Sequence, residues 1–349
     1  MTAPGRTAAF FASAVAAAML LTACSTASSE PAATETVAAD GDRTLVVYSG
    51  RDEELVAPLI EQFEDASGID VEVRYAGSTE LAAQLLEEGS ATPAQVFLSQ
   101  DSGALGAVAA EGLLTTLPSE ITSLVPSEYT SRDDSWVGLT GRARVIAYDS
   151  EKYTADQIPG DVWQLLDPAW QGKVGIVPAN ASFQSFITAM RVQEGEDRAR
   201  EWLEGVKANG AQVFGRNGEL LEAVNAGAVD VGLINHYYWA RSEQDPTTLR
   251  AQLKFGDPGS IGALVNVTGA GILAPAEGSS EALEFVEYLV SNEGQTYFLE
   301  ETYEYPLIGD LEGPAGVPPL AELGAPDVDL SQLSSLQNTV AMITEVGLL

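Results

Sequence analysis

From Thr44 onward the chain alternates strand-type and helix-type patterning, and this restricts its possible folds more than any other feature of it. Residues 44–48 form a short apolar strand. Val56, Leu59, Ile60 and Phe63 then recur at i, i+3, i+4 and i+7, one face of a helix that Gly68 stops. Residues 71–75 alternate with period two, as a strand does. Ser78 can cap a helix whose apolar face is Leu81, Ala82, Leu85 and Leu86. Residues 95–98 read as a third strand, and Asp101 can cap a helix over 102–111. The pattern resumes with strands at 144–148, 173–177 and 231–235 and helices at 183–192, 199–207 and 281–290. Strand–helix–strand repetition implies parallel pairing through right-handed crossovers, so the expected class is α/β. A chain of 349 residues is long for one compact core, which predicts two lobes.

The N-terminus reads differently. Residues 1–23 carry Arg6 and then an apolar stretch rich in Ala, Phe and Leu, the pattern of a secretory signal peptide. It ends in Leu21-Thr22-Ala23-Cys24, which resembles a bacterial lipobox; Cys24 would then be acylated and become the mature N-terminus. Cys24 is the single cysteine, which excludes an internal disulfide and any zinc site built on several thiolates. Residues 24–43 are small, polar and acidic and read as a flexible tether. No later segment reaches the ~20 apolar residues that a spanning helix needs. The expected location is therefore the outer face of the cytoplasmic membrane.

Charge narrows the partners. The chain has 51 Asp plus Glu against 17 Lys plus Arg, a net charge of −34. Nucleic acid and anionic lipid surfaces both require basic patches and are excluded as partners. Catalytic signatures are missing too: there is no Gly-x-Ser-x-Gly elbow, no glycine-rich phosphate loop and no His-Glu-x-x-His. With one histidine and one cysteine, nucleophilic schemes are nearly exhausted.

In open α/β sheets, ligands sit at the carboxyl ends of strands. That rule singles out residues 49–52, 99–101, 180–182 and 235–238. The last group contains Tyr237-Tyr238. A phenol is ordinarily neutral, with a pKa near 10. A hard trivalent cation deprotonates it, and phenolate oxygen suits Fe³⁺ better than soft metals. The pair by itself reads first as aromatic packing at a lobe interface.

Several segments in order resemble one family: Val-Val-Tyr-Ser-Gly at 46–50, Thr-Pro-Ala-Gln-Val-Phe at 92–97 and Gly-Arg-Ala-Arg-Val at 141–145. Pro-Ala-Trp-Gln-Gly-Lys-Val-Gly at 168–175, Leu-Ile-Asn-His-Tyr-Tyr-Trp at 233–239 and Tyr-Pro-Leu at 305–307 continue the series. Together they resemble the bacterial periplasmic ferric-ion-binding proteins, the iron-importer members of the type II solute-binding family.

The resemblance implies two α/β lobes joined by hinge strands around a cleft, with lobe one at 44–143 plus 268–317 and lobe two at 144–267 plus 318–349. It implies Fe³⁺ held by Tyr237 and Tyr238 from lobe two. The family's usual His and Glu positions hold Asp52 and Gln100 here, and Asp101 stands beside the latter as a ligand or as the helix cap. It implies a synergistic phosphate or carbonate at Asn180, Ala181, Ser182, Asn217 and Asn235, where a helix N-terminus attracts anions. Arg142 or Arg144 could add a bidentate clamp, or pair with a hinge carboxylate. His236 is read as lying behind the site or on the surface, because neighbours at a strand end point apart. The implied partners are the permease and ATPase of an ABC importer, served by a monomer on its lipid anchor. Two other readings remain: a binder of an organic or oxyanion solute, and a carboxylate-based enzyme on the same fold.

Overall fold

The computed structural model describes residues 43–309 and 311–349. Cys24, the signal peptide and nearly all of the tether lie outside the described residues.

In chain order the elements are β1 (Thr44–Ser49), α1 (Glu53–Ser67), β2 (Asp70–Tyr75), α2 (Ser78–Glu88), β3 (Val96–Ser99), α3 (Ser102–Ala110), α4 (Ser119–Thr122) and β4 (Val137–Asp149). Then come β5 (Val174–Ile176), α5 (Ala181–Glu194), α6 (Glu196–Ala208), β6 (Gln212–Val213), α7 (Asn217–Asn225), β7 (Val231–Asn235) and α8 (His236–Ala240). The chain ends with β8 (Ala251–Phe255), β9 (Val265–Ile272), α9 (Ser280–Leu289), α10 (Asn292–Glu301), β10 (Tyr305–Pro306) and α11 (Leu336–Val346).

The sheet runs β2-β1-β3-β9-β4-β7-β5-β6. β1 is parallel to both β2 and β3, as the crossovers require, while β9 is antiparallel to β3 and β4. β4 changes partners along its length. Val137–Ala143 pairs with β9, and Arg144–Tyr148 pairs with β7. The second half of the sheet continues with β5 parallel to β7 and to β6. Two groups of α/β elements thus meet on one 13-residue strand that is buried throughout.

The helix faces read from the sequence are the faces buried. Val56, Leu59, Ile60 and Phe63 of α1 are all between 0% and 4% exposed. Each such side chain is worth roughly 1.5–3 kcal/mol when fully buried. Gly68 ends α1 at φ 68°, the left-handed position that suits glycine.

Several elements escape a reading by periodicity, α7, α10 and α11 among them. β4 begins seven residues before the predicted 144, and β8 and β9 were not expected at all. In β4 and β9 glycines break the apolar pattern because backbones approach too closely for a side chain. A Cβ on Gly138 would lie 2.2 Å from the Tyr129 carbonyl oxygen, and one on Gly269 would lie 2.8 Å from that of Val137.

Two caps resolve differently. Ser78 does not cap α2; Gly77 occupies that position, and the Ser78 hydroxyl accepts the Gln100 N–H at 2.9 Å instead. Asp101 is the α3 cap: its Oδ1 accepts from Ala104 N–H at 3.2 Å and from the Ser185 hydroxyl at 2.8 Å. Asp101→Ala is expected to cost about 1 kcal/mol for the lost cap. Loss of the Ser185 bond adds to this, so the urea midpoint should fall with an unchanged slope. A midpoint that does not move would remove the capping role.

Candidate functional site

The tyrosines leave β7 in a helical turn rather than in extended chain. α8 begins at His236, so successive side chains are about 100° apart instead of opposite. The Tyr237 and Tyr238 rings can therefore lie side by side, and they stack with centroids 4.3 Å apart and planes at 29°. Tyr237 is 1% exposed and Tyr238 is partly buried. Among the described residues neither phenol oxygen makes a hydrogen bond.

Positive charge converges on this pair. Arg51 and Arg142 both act on Tyr237 and draw its pKa down, but burial and the neighbouring Tyr238 outweigh them and hold it well above the phenol value of 10.0. Arg241 closes the outer side, with its guanidinium carbon 5.7 Å from the Tyr237 centroid and 5.4 Å from that of Tyr238. It also reaches within 3.9 Å of Glu54 in the first turn of α1.

The predicted anion residues meet one another. Arg142 donates to the Gln100 carbonyl oxygen and, at 3.4 Å, to the Ser182 hydroxyl. Asn235 Nδ2 donates to the same hydroxyl at 3.0 Å, and Asn180 caps α5 by accepting the Ser182 N–H at 3.0 Å. α5 begins at Ala181, two residues earlier than periodicity predicted, so the Ser182 amide is already satisfied and Ala181 presents the first helical N–H. Asn217 opens α7 fully buried, with both amide atoms unpartnered.

Other predicted residues stand apart. Asp52 is exposed at the start of α1 and makes no side-chain cap bond. Gln100 is half-buried, tied in through its backbone rather than its amide. Asp101 is buried at the α3 cap, and burial raises its pKa. Arg144 donates to the Leu233 carbonyl at 3.1 Å and lies over the rings of Phe183 and Phe186. Burial lowers its pKa to about 9, and among the described residues neither Arg142 nor Arg144 pairs with a carboxylate.

His236 is not on the surface. It is 0% exposed, because the helical turn directs it back against β4. Its Nδ1 accepts the Ala143 N–H at 3.1 Å, and burial lowers its pKa to about 4, so it is neutral.

Sequence reasoning missed the ion pair beneath the tyrosines. Arg51 Nη1 donates to Glu304 at 2.7 Å and to the Thr268 hydroxyl at 2.9 Å, and Thr140 also bonds Glu304. Arg51 and Glu304 are 1% and 0% exposed at their side chains. The available signals were an arginine in the turn after β1 and a glutamate beside Tyr305, neither of which is informative by type. Among the described residues no three His, Cys, Asp or Glu side chains cluster as a metal site.

Known proteins align with this architecture along nearly all of its length. The profile of the bacterial extracellular solute-binding proteins matches residues 91–329. The Fe(3+)-binding periplasmic protein of Serratia marcescens is 34% identical over 319 residues, covering 89% of this chain and 93% of the relative. The major ferric iron-binding protein of Neisseria meningitidis is 32% identical over 322 residues, covering 91% and 97%. Iron-bound HitA from Pseudomonas aeruginosa superposes with a TM-score of 0.82 at 33% identity, covering 87% of this chain and 99% of HitA. Among the described residues no helix is long and apolar enough to cross a membrane. The chain therefore belongs to the bacterial extracellular solute-binding proteins, in the group of the periplasmic ferric-ion-binding proteins.

Proposed function

We propose that this chain captures ferric iron through the phenolates of Tyr237 and Tyr238 and delivers it to an ABC importer. It is a binding protein rather than an enzyme. The observation that carries the reading is the stacked tyrosine pair, whose two hydroxyls make no hydrogen bond among the described residues and of which Tyr237 feels the charge of Arg51 and Arg142. Because burial keeps Tyr237 protonated in the free protein, iron must displace the proton, and binding weakens as pH falls. Asp52 and Gln100 are the remaining ligand candidates from the opposite side of the cleft. Asn180, Ala181, Ser182, Asn217, Asn235 and Arg142 form the pocket for a synergistic phosphate or carbonate.

In this reading residues 44–143 with 268–317 make one lobe, and 144–267 with 318–349 the other. The partner switch in β4 at Ala143–Arg144 supports a hinge there. Cargo held from both sides keeps the lobes closed, so occupancy becomes shape that a permease can read. Acylated Cys24 and the tether at 24–43 hold the protein, as a monomer, at the outer membrane face.

The unpartnered buried nitrogens of Arg51 (Nε, Nη2), Arg142 (Nε) and Arg144 (Nε, Nη1) favour one rival, an organic or oxyanion solute without iron. Titrating the protein with ferric citrate separates the two. Tyrosinate on Fe³⁺ should give a broad visible charge-transfer band that saturates at one equivalent and sharpens with phosphate or carbonate. No band under any of these conditions would sink the iron reading and leave the oxyanion ligand.

A further inference from the structure

β4 changes sheet partners at the peptide joining Ala143 and Arg144, and the backbone there is bonded in an unusual way. Arg144 N–H goes to the Leu264 carbonyl at 2.9 Å. The Ala143 N–H goes not to a strand carbonyl but to a side chain, His236 Nδ1. The same imidazole packs on Tyr305, with centroids 4.5 Å apart and planes at 30°. Tyr305 belongs to β10 and pairs with Gly141 of β4, two residues before the switch. His236 is thus fixed at the partner switch by both a ring contact and a hydrogen bond, and the next two residues in the chain are the tyrosine pair. The imidazole is fully buried, and because its Nδ1 accepts, its ring proton is on Nε2. A buried strand N–H deprived of this acceptor loses the side-chain hydrogen bond that it makes here.

We propose that His236 is a positioning residue for iron retention: its Nδ1 bond to the Ala143 N–H ties the tyrosine helix to the strand where the two halves of the sheet meet. Any swing of one half about that peptide moves α8, and with it both phenols. The inference rests on the tyrosine reading above.

The test loads wild type, H236F and H236N with ferric citrate and follows loss of the visible band on adding excess EDTA. H236F keeps a ring on Tyr305 and loses the acceptor. H236N loses the ring and places its amide oxygen where Nδ1 was. Iron release is expected to be about 10–100-fold faster in H236F, the scale on which supporting groups act at metal sites, and close to wild type in H236N. Should H236F fail to fold, H236Q, whose amide falls at the Nε2 position instead, takes its place with the same expectation. Equal release from wild type and the acceptor-less variant overturns the proposal, as does fast release from H236N. Those outcomes leave the wild-type band intact. A wild-type protein without the band removes the tyrosine reading itself and this inference with it.

Discussion

Replacing Tyr237 and Tyr238 together by phenylalanine is expected to abolish the visible band and saturable iron binding, with the circular dichroism spectrum unchanged. The substitution removes only two oxygens. Since neither oxygen bonds another group among the described residues, the fold loses no hydrogen bond, and the stacked rings keep their area. The cargo loses its two anionic donors in a place where, among the described residues, no cluster of carboxylates or imidazoles stands ready to replace them. Altering a supporting group usually costs 10–100-fold in metal affinity, and deleting the ligands themselves should cost well beyond that. Isothermal titration with ferric citrate is the check. One-equivalent binding by the double variant would place the iron elsewhere.

The second large effect is on stability. Glu304→Gln is expected to cost about 3–5 kcal/mol, the usual result of breaking a buried pair from one side. It leaves Arg51, 2% exposed, without the only carboxylate partner and with two nitrogens already unpartnered among the described residues. The pH dependence follows from the direction of the glutamate's shift. Burial alone would raise its pKa above the ordinary 4.5, but Arg51 and Arg142 outweigh burial and hold it lower. A group depressed in the folded state contributes stability that is present above its unfolded pKa and lost as pH falls through its folded pKa. The wild type should therefore lose this contribution only below about pH 4.5, whereas the variant should show a flatter profile in that range. Equal unfolding free energies at neutral pH would show that the pair contributes nothing.

Legibility in the sequence tracked the kind of physics involved. Helix faces such as Leu81, Ala82 and Leu85 were readable because burial imposes a 3.6-residue period that survives in one sequence. The strands of β1, β3 and β7 were readable as short apolar runs between helices. β9 was not, because Gly269 and Gly271 are there for close backbone approach and look like a loop. At the site, Tyr237 and Tyr238 stood out by residue type and position. Asn180, Ser182 and Asn235 were marked by their position at strand ends, whereas Arg142, which meets Ser182 in space, was reachable only through the family resemblance. Arg51 and Glu304 were invisible because 253 residues separate them, and nothing local marks a charge that will be buried. Of the two places read for His236, behind the site or on the surface, the first is the one found; the reason differs from the alternation assumed, because the residue after β7 turns helical and a 3.6-residue turn applies.

β9 also sets the order of assembly. It lies between β3 and β4, so the first half of the sheet lacks its centre until residue 272 is available. A chain emerging from its N-terminus can form β1, β2 and β3 early, yet it holds an open edge at β3 across nearly half its length. Closing that gap is a long-range step, and such steps slow folding because loop entropy is lost before contacts repay it. Slow closure defers completion of the sheet until residue 272 of the 349 has been made.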